Sequence, residues 1–142
     1  MKGKARGVIE FHYDSVHFNL DETRIKNWIT KVVSQYKKDV EEIQIIFCTD
    51  EALLKLNREH LQHDYYTDVI TFEYMKEPVM GDIYISLERV RENSKEFGVS
   101  EVNELFRVII HGILHILGFS DKSKRAIEKM RKAEDDALKM LE

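Results

Sequence analysis

Ten residues constrain this chain more than any other stretch. From Val108 to Leu117 every residue is aliphatic except His111, Gly112 and His115. A helix that is apolar all round has to be buried. The two histidines stand four apart, so on a helix both imidazoles project from one face, one turn from each other. A buried imidazole needs a partner for each ring nitrogen. A metal meets that need at one nitrogen, and an acceptor behind the ring meets it at the other. Gly118 supplies a stop, because glycine takes the left-handed conformation that ends helices. Beyond it the chain can fold back and carry the Asp121 carboxylate toward the rings. Two imidazoles and a carboxylate with an open fourth position make a catalytic zinc site. His111, His115 and Asp121 are therefore the candidate ligands of one Zn2+ per chain. The other reading of the spacing, two core histidines bonded to backbone, leaves Gly118 and Asp121 without a role.

The rest of the chain has to bury that helix. Val8–Tyr13 alternates apolar and polar, a strand pattern. Asn19 and Glu22 stand at capping-box spacing, and Ile25, Trp28, Ile29, Val32, Val33 and Tyr36 then follow a helical period, with Trp28 in the core. Glu42–Cys48 reads as a second strand, so strand, helix and strand suggest a parallel pair with a crossover helix. Asp50 can cap a short helix carrying Leu53, Leu56 and Leu61. His60–Tyr66 has no period and reads as a loop, with His60 and His63 able to reach substrate or metal. Thr67–Tyr74 is a third strand. A short connector with Pro78, the only proline, leads through Gly81 to a fourth, Asp82–Ser86. So short a link implies an antiparallel hairpin. Ser86 caps a helix with Leu87, Val90 and Phe97 inward, ended by Gly98. Ser100 caps the histidine helix, where Glu101 and Glu104 suit the positive end. Ala126, Met130, Ala133, Ala137 and Leu141 give the last helix a narrow apolar stripe.

The expected architecture is α+β: a mixed four-stranded sheet with one antiparallel edge strand, packed by about five helices, one of them a zincin-like metal helix. A length of 142 residues suits one core rather than two, so residues 1–142 are expected to form a single domain. The lone cysteine, Cys48, excludes an internal disulfide and suits a cytoplasmic protein. The basic start, Met1–Arg6, is followed by no apolar segment, and no run approaches membrane-spanning length, so neither signal peptide nor membrane association is expected. A net charge of −4 does not mark a nucleic-acid binder. Locally, however, Lys122, Lys124, Arg125, Lys129, Arg131 and Lys132 cluster after the candidate metal site. They form either a solvated helix face or a partner for a phosphate-bearing substrate.

His111-Gly112-x-Leu114-His115-x-x-Gly118-x-x-Asp121 resembles the signature of the YbeY endoribonucleases, the ribosomal-RNA maturation factors, whose pattern is H-G-x-L-H-x-x-G-x-x-H. Leu56-Asn57 and Thr67-Asp68-Val69-Ile70-Thr71-Phe72 resemble that family's L-N and T-D-V-L-S-F elements. Gly81-Asp82-Ile83 with Ile85-Ser86 resembles its G-D-I-x-I-S strand. The elements follow the family's order from about residue 43 to 121. The resemblance implies a cytoplasmic zinc enzyme that cuts single-stranded ribosomal RNA, matures the 3′ end of small-subunit RNA, and has the small ribosomal subunit or its assembly factors as partners. It places His111 and His115 at ligand positions and puts Asp121 where the family usually has histidine. A carboxylate can complete a three-ligand zinc site, though it is a harder donor. The family's arginine a few residues after L-N falls on Leu61. Arg58, Arg107 and Lys122 are the candidates to meet the substrate phosphate instead. Arg107 lies one turn before His111 on the same helix.

The chemistry expected of such a site is phosphodiester cleavage assisted by a metal and its water. Asp68, Glu73 and Asp82 are candidate general bases by strand position. A metallopeptidase would use the same histidine spacing, but H-E-x-x-H enzymes carry a glutamate base after the first histidine, and here that residue is Gly112. A third possibility is a non-catalytic assembly factor in which zinc only holds the fold.

Overall fold

The computed structural model describes residues 4–61 and 67–141. Its elements run β1 (Val8–Tyr13), α1 (Glu22–Gln35), β2 (Val40–Cys48), α2 (Asp50–Leu61), β3 (Val69–Lys76), β4 (Val79–Ser86), α3 (Leu87–Phe97), α4 (Glu101–Ile116) and α5 (Lys124–Lys139). The four strands form one mixed sheet in the order β1-β2-β4-β3. β1 and β4 flank β2 in parallel, and β3 pairs antiparallel to β4 at the edge. This is the expected α+β architecture, antiparallel edge strand included. The hairpin follows from its link, since only Glu77 and Pro78 separate β3 from β4.

One sheet face carries Ile9, Ile43, Ile45, Phe47, Ile83 and Ile85, all buried, into the main core. α4 lies in that core. Leu105, Ile109, Ile110, Ile113, Leu114 and Ile116 are each 0 % exposed, as the apolar run requires. α1 and α5 close over it, tied where the buried Trp28 indole donates to the Ala137 carbonyl at 2.8 Å. A smaller cluster of Cys48, Leu53 and Ile70 packs α2 against the sheet. Cys48 is a packed thiol, its pKa pushed up to about 11 by burial and then by nearby carboxylates.

Two glycines let α4 approach the sheet. A Cβ on Gly112 would lie 2.9 Å from Ile83 Cγ2 and 3.2 Å from Thr71 Cγ2. A Cβ on Gly81 would lie 2.7 Å from the Phe72 carbonyl and 2.8 Å from Ile116 Cδ1. Gly81 sits inside β4 rather than in the connector before it.

Several local expectations are corrected. The cap of α1 is Asp21, whose carboxylate accepts from the Arg24 N–H, not Asn19. Tyr36 ends that helix and is exposed. At α2 the Thr49 hydroxyl accepts from the Ala52 N–H, while Asp50 instead accepts from Ser86 and Arg89. Leu61 and Phe97 face outward. For Phe97 the cause is the left-handed Gly98 immediately after it, which ends α3 and turns the chain away. Ser86, Ser100 and Gly98 cap as expected. His63 and the rest of residues 62–66 lie outside the described residues.

Candidate metal centre

α4 places His111 and His115 one turn apart with ring centroids 4.8 Å from each other. Its end is set by the turn after it: the Gly118 N–H donates to the His115 carbonyl, the Phe119 N–H donates to Leu114, and Gly118 takes φ +109°. That turn returns Asp121 to the rings, with Oδ2 3.4 Å from His115 Nε2. One ligand atom from each of His111, His115 and Asp121 falls within 4.8 Å of the others. Two imidazole nitrogens and a carboxylate oxygen at that spacing fit a zinc ion.

The three line a cavity of about 350 Å³ whose other walls include Asn57, Asp68 and Thr71. Asn57 is buried, and Asp68 comes from the turn entering β3 and touches Asn93 Nδ2 at 3.4 Å. Of the candidate bases only Asp68 reaches this cavity. Glu73 pairs with Lys76, and Asp82 accepts from the Tyr74 hydroxyl at 2.8 Å. Burial pushes the Asp68 carboxyl up, against the opposing pull of His111.

Sequence reasoning missed Glu134. It reads as one charge in a solvated helix, yet its side chain is only 5 % exposed. Oε2 lies 2.7 Å from His111 Nδ1, and Oε1 accepts from Arg107 Nη1 at 2.9 Å. Its position offered one clue: it follows Met130 by four and Ala133 by one, on the apolar stripe of α5. The pairing outweighs burial for both partners, so the His111 pKa is raised and that of Glu134 is lowered. Burial and then the neighbouring His111 charge lower the His115 pKa, and the nearby Asp121 pulls upward but does not prevail.

The three cationic candidates fall in different places. Arg107 reaches His111 only through Glu134 and gives its other nitrogen to Asp135 at 2.8 Å. Arg58 and Lys122 are exposed, and neither lines the cavity among the described residues. Leu61 does line it, 41 % exposed, where the resemblance puts an arginine. His60, expected in a loop, lies in the last turn of α2 with its ring edge-on to Phe72, 5.9 Å between centroids. Gly112 packs closely on Ile83 and Thr71 of the sheet and carries no side chain to move a proton. The base of an H-E-x-x-H peptidase has no place here.

Residues 10–142 match the family model described as Endoribonuclease YbeY. The chain belongs to the YbeY endoribonuclease family. Among curated relatives named Endoribonuclease YbeY, that of Bacteroides thetaiotaomicron is 50 % identical over 114 residues, covering 80 % of this chain and 83 % of its own. That of Porphyromonas gingivalis is 48 % identical over 136 residues, covering 94 % and 90 %. A Thermotoga maritima protein solved in solution superposes with a TM-score of 0.63 at 31 % identity, over 93 % of this chain and 90 % of that one. Among the described residues of this YbeY family member, no helix is long and apolar enough to cross a membrane.

Proposed function

We propose that this chain is a zinc-dependent endoribonuclease, one Zn2+ per chain, that cuts single-stranded ribosomal RNA. Family membership supports the reaction class. The observation that carries the metal dependence is the convergence of His111, His115 and Asp121 within 4.8 Å on one cavity beside a half-buried Asp68. By the same family argument, its setting is the cytoplasm, its substrate the 3′ end of small-subunit RNA, and its partners the small subunit or assembly factors. Residues 1–142 act as one such domain in this reading.

His111 Nε2, His115 and Asp121 would hold the ion. A bound zinc supplies a Lewis acid that polarises a phosphoryl oxygen and makes water acidic near neutrality. Everything else falls to the chain. Glu134 fixes His111 with its proton on Nδ1, which turns Nε2 toward the cavity. Arg107 anchors Glu134 from the other side. Asp68, its carboxyl raised by burial, stands on the opposite wall and can take or return a proton at its carboxylate oxygen. Arg58 and Lys122, neighbours of Asn57 and Asp121 in the chain, meet the phosphates at the cavity margin. A direct phosphate contact by Arg107 requires release of the exposed Asp135.

One observation favours the alternative of a non-catalytic, zinc-containing assembly factor: among its described residues the cavity carries no lysine or arginine. The deciding experiment pairs metal analysis with cleavage of an unstructured RNA, on wild type and His115→Ala. The proposal expects about one zinc per chain and cleavage in the wild type, both lost in the variant. Wild type purified without metal would overturn the site. Zinc-loaded wild type that leaves RNA intact would establish the assembly-factor reading.

A further inference from the structure

A larger cavity, of about 720 Å³, lies beside Arg107, one turn before His111 on α4. A third, of about 290 Å³, joins it to the metal-site cavity. It shares Asp68, Val69 and His111 with the metal-site cavity and Phe97, Glu104, Arg107 and Arg131 with the larger one. The three make a continuous trough across α3, α4 and α5.

Along this trough the chain shows apolar side chains to solvent. Phe97 is 61 % exposed, Ile127 53 %, Val99 44 % and Val102 41 %. These are four of the eight large hydrophobics exposed among the described residues. Scattered singly they would need no explanation, but gathered on one trough they mark a binding surface. Phe97 is the sharpest case, because its helical spacing calls for burial and the Gly98 turn leaves its ring outside.

The charge of the larger cavity is opposite to that of the metal site. Arg24, Arg107, Arg131 and Lys139 line it, against Glu104, which is only 6 % exposed. Arg24 donates to the neutral Leu141 carbonyl at 2.9 Å, so that bond leaves its charge uncancelled. Arg107 is held by Glu134 and Asp135, and Arg131 stands 3.7 Å from Glu134, so the uncancelled positive charge of the trough gathers at Arg24 and Lys139. A flat exposed ring set among cations suits a single strand, whose bases stack on aromatics while its phosphates pair with lysine and arginine. Continuity with His111 favours a polymer that also enters the cleavage site over an acidic protein segment.

We propose that this trough carries the single-stranded RNA flanking the cleaved bond, with one base stacked on Phe97 and adjacent phosphates held by Arg24 and Lys139. The proposal rests on the endoribonuclease reading above and assigns that site its substrate path.

The test uses the full-length zinc-loaded protein and a labelled, unstructured RNA of about a dozen nucleotides. Binding is read by fluorescence anisotropy across a salt series, and cleavage is measured in parallel. Phe97→Ala is expected to raise Kd about ten-fold, and Phe97→Tyr to restore it, since stacking needs the ring. The double variant Arg24→Glu/Lys139→Glu is expected to weaken binding and flatten the salt slope by about 0.7 for each phosphate left without its cation. Zinc content and cleavage of a very short oligonucleotide stay at wild-type levels in both. Wild-type cleavage with unchanged Kd in both variants would overturn the trough while leaving the nuclease reading intact, and would hand this surface to an acidic protein. RNA binding that depends on Phe97 without any cleavage would overturn the nuclease reading and leave the trough standing.

Discussion

Glu134 Oε2 sits 2.7 Å from His111 Nδ1, while its second oxygen holds Arg107. A residue thirteen positions beyond Asp121 in the chain thus reaches back to set the ring on which metal binding depends. Removing the carboxylate leaves a half-buried imidazole free to turn and a guanidinium short of a partner. Glu134→Ala is expected to lower zinc affinity about 10- to 100-fold, measured by competition with a chromophoric chelator. Glu134→Gln keeps an oxygen to accept from Nδ1–H and is expected to lose less. Equal zinc affinity in wild type and Glu134→Ala would remove Glu134 from the site.

Gly112 tests the packing that presents the histidines. The nearest atoms to an added Cβ are methyls of Ile83 and Thr71, both β-branched residues whose Cγ2 methyls move only with the stiff χ1 torsion. They cannot swing aside as a long side chain would. Gly112→Ala is expected to cost about 1–3 kcal/mol, despite alanine's better helix propensity. Thermal melting would show a fall of several degrees. An unchanged or higher Tm would mean that α4 can lift from the sheet at little cost.

The two rings are shifted in opposite directions, and the metal-free protein should show it. His115 is lowered, so below the ordinary histidine value of 6.5 the unfolded chain binds more protons, and stability rises with pH toward that value. His111 is raised, so above 6.5 the folded chain keeps a proton the unfolded chain has lost, and stability falls as pH climbs through its folded value. Their joint contribution peaks near pH 6.5. It is read as the difference in Tm between metal-free wild type and His111→Gln/His115→Gln, from about pH 5 to 8. With zinc, stability should instead climb through the upper half of that range, because imidazolium does not coordinate. A flat difference would contradict the opposed shifts.

The parallel β1–β2 pair, the antiparallel edge hairpin, the buried histidine helix and the returning Asp121 were legible in the sequence, because each rests on local chemistry, whereas the long-range pairing of β2 with β4 was not. Alternation marks β1, the two-residue link forces the β3–β4 hairpin, and Gly118 ends α4. Glu134 was not legible in the same way. Its burial depends on how α5 docks on α4, and a glutamate between lysines on a narrow apolar stripe looks solvated until that docking is known. Phe97 failed for a related reason. Periodicity assigns a face as though the helix continued, and Gly98 ends it at that residue. Arg107 was correctly placed on the side of His111, but spacing could not reveal that Glu134 and Asp135 occupy its guanidinium.

Leu61 offers a gain-of-function test. It is 41 % exposed, lines the metal-site cavity, and stands where the family resemblance puts an arginine. An arginine there would add a cationic side chain to a cavity whose described charged walls are Asp68 and Asp121 beside the two histidines. Substrate phosphate would gain a charge-assisted contact, discounted for solvent because the position is open. Leu61→Arg is therefore expected to lower KM for unstructured RNA about ten-fold, leave zinc content unchanged, and cost little stability, since an exposed leucine buries little surface to lose. If KM is unchanged while zinc stays bound, the scissile phosphate already has its cation, and the neighbours Arg58 and Lys122 become the side chains to remove next.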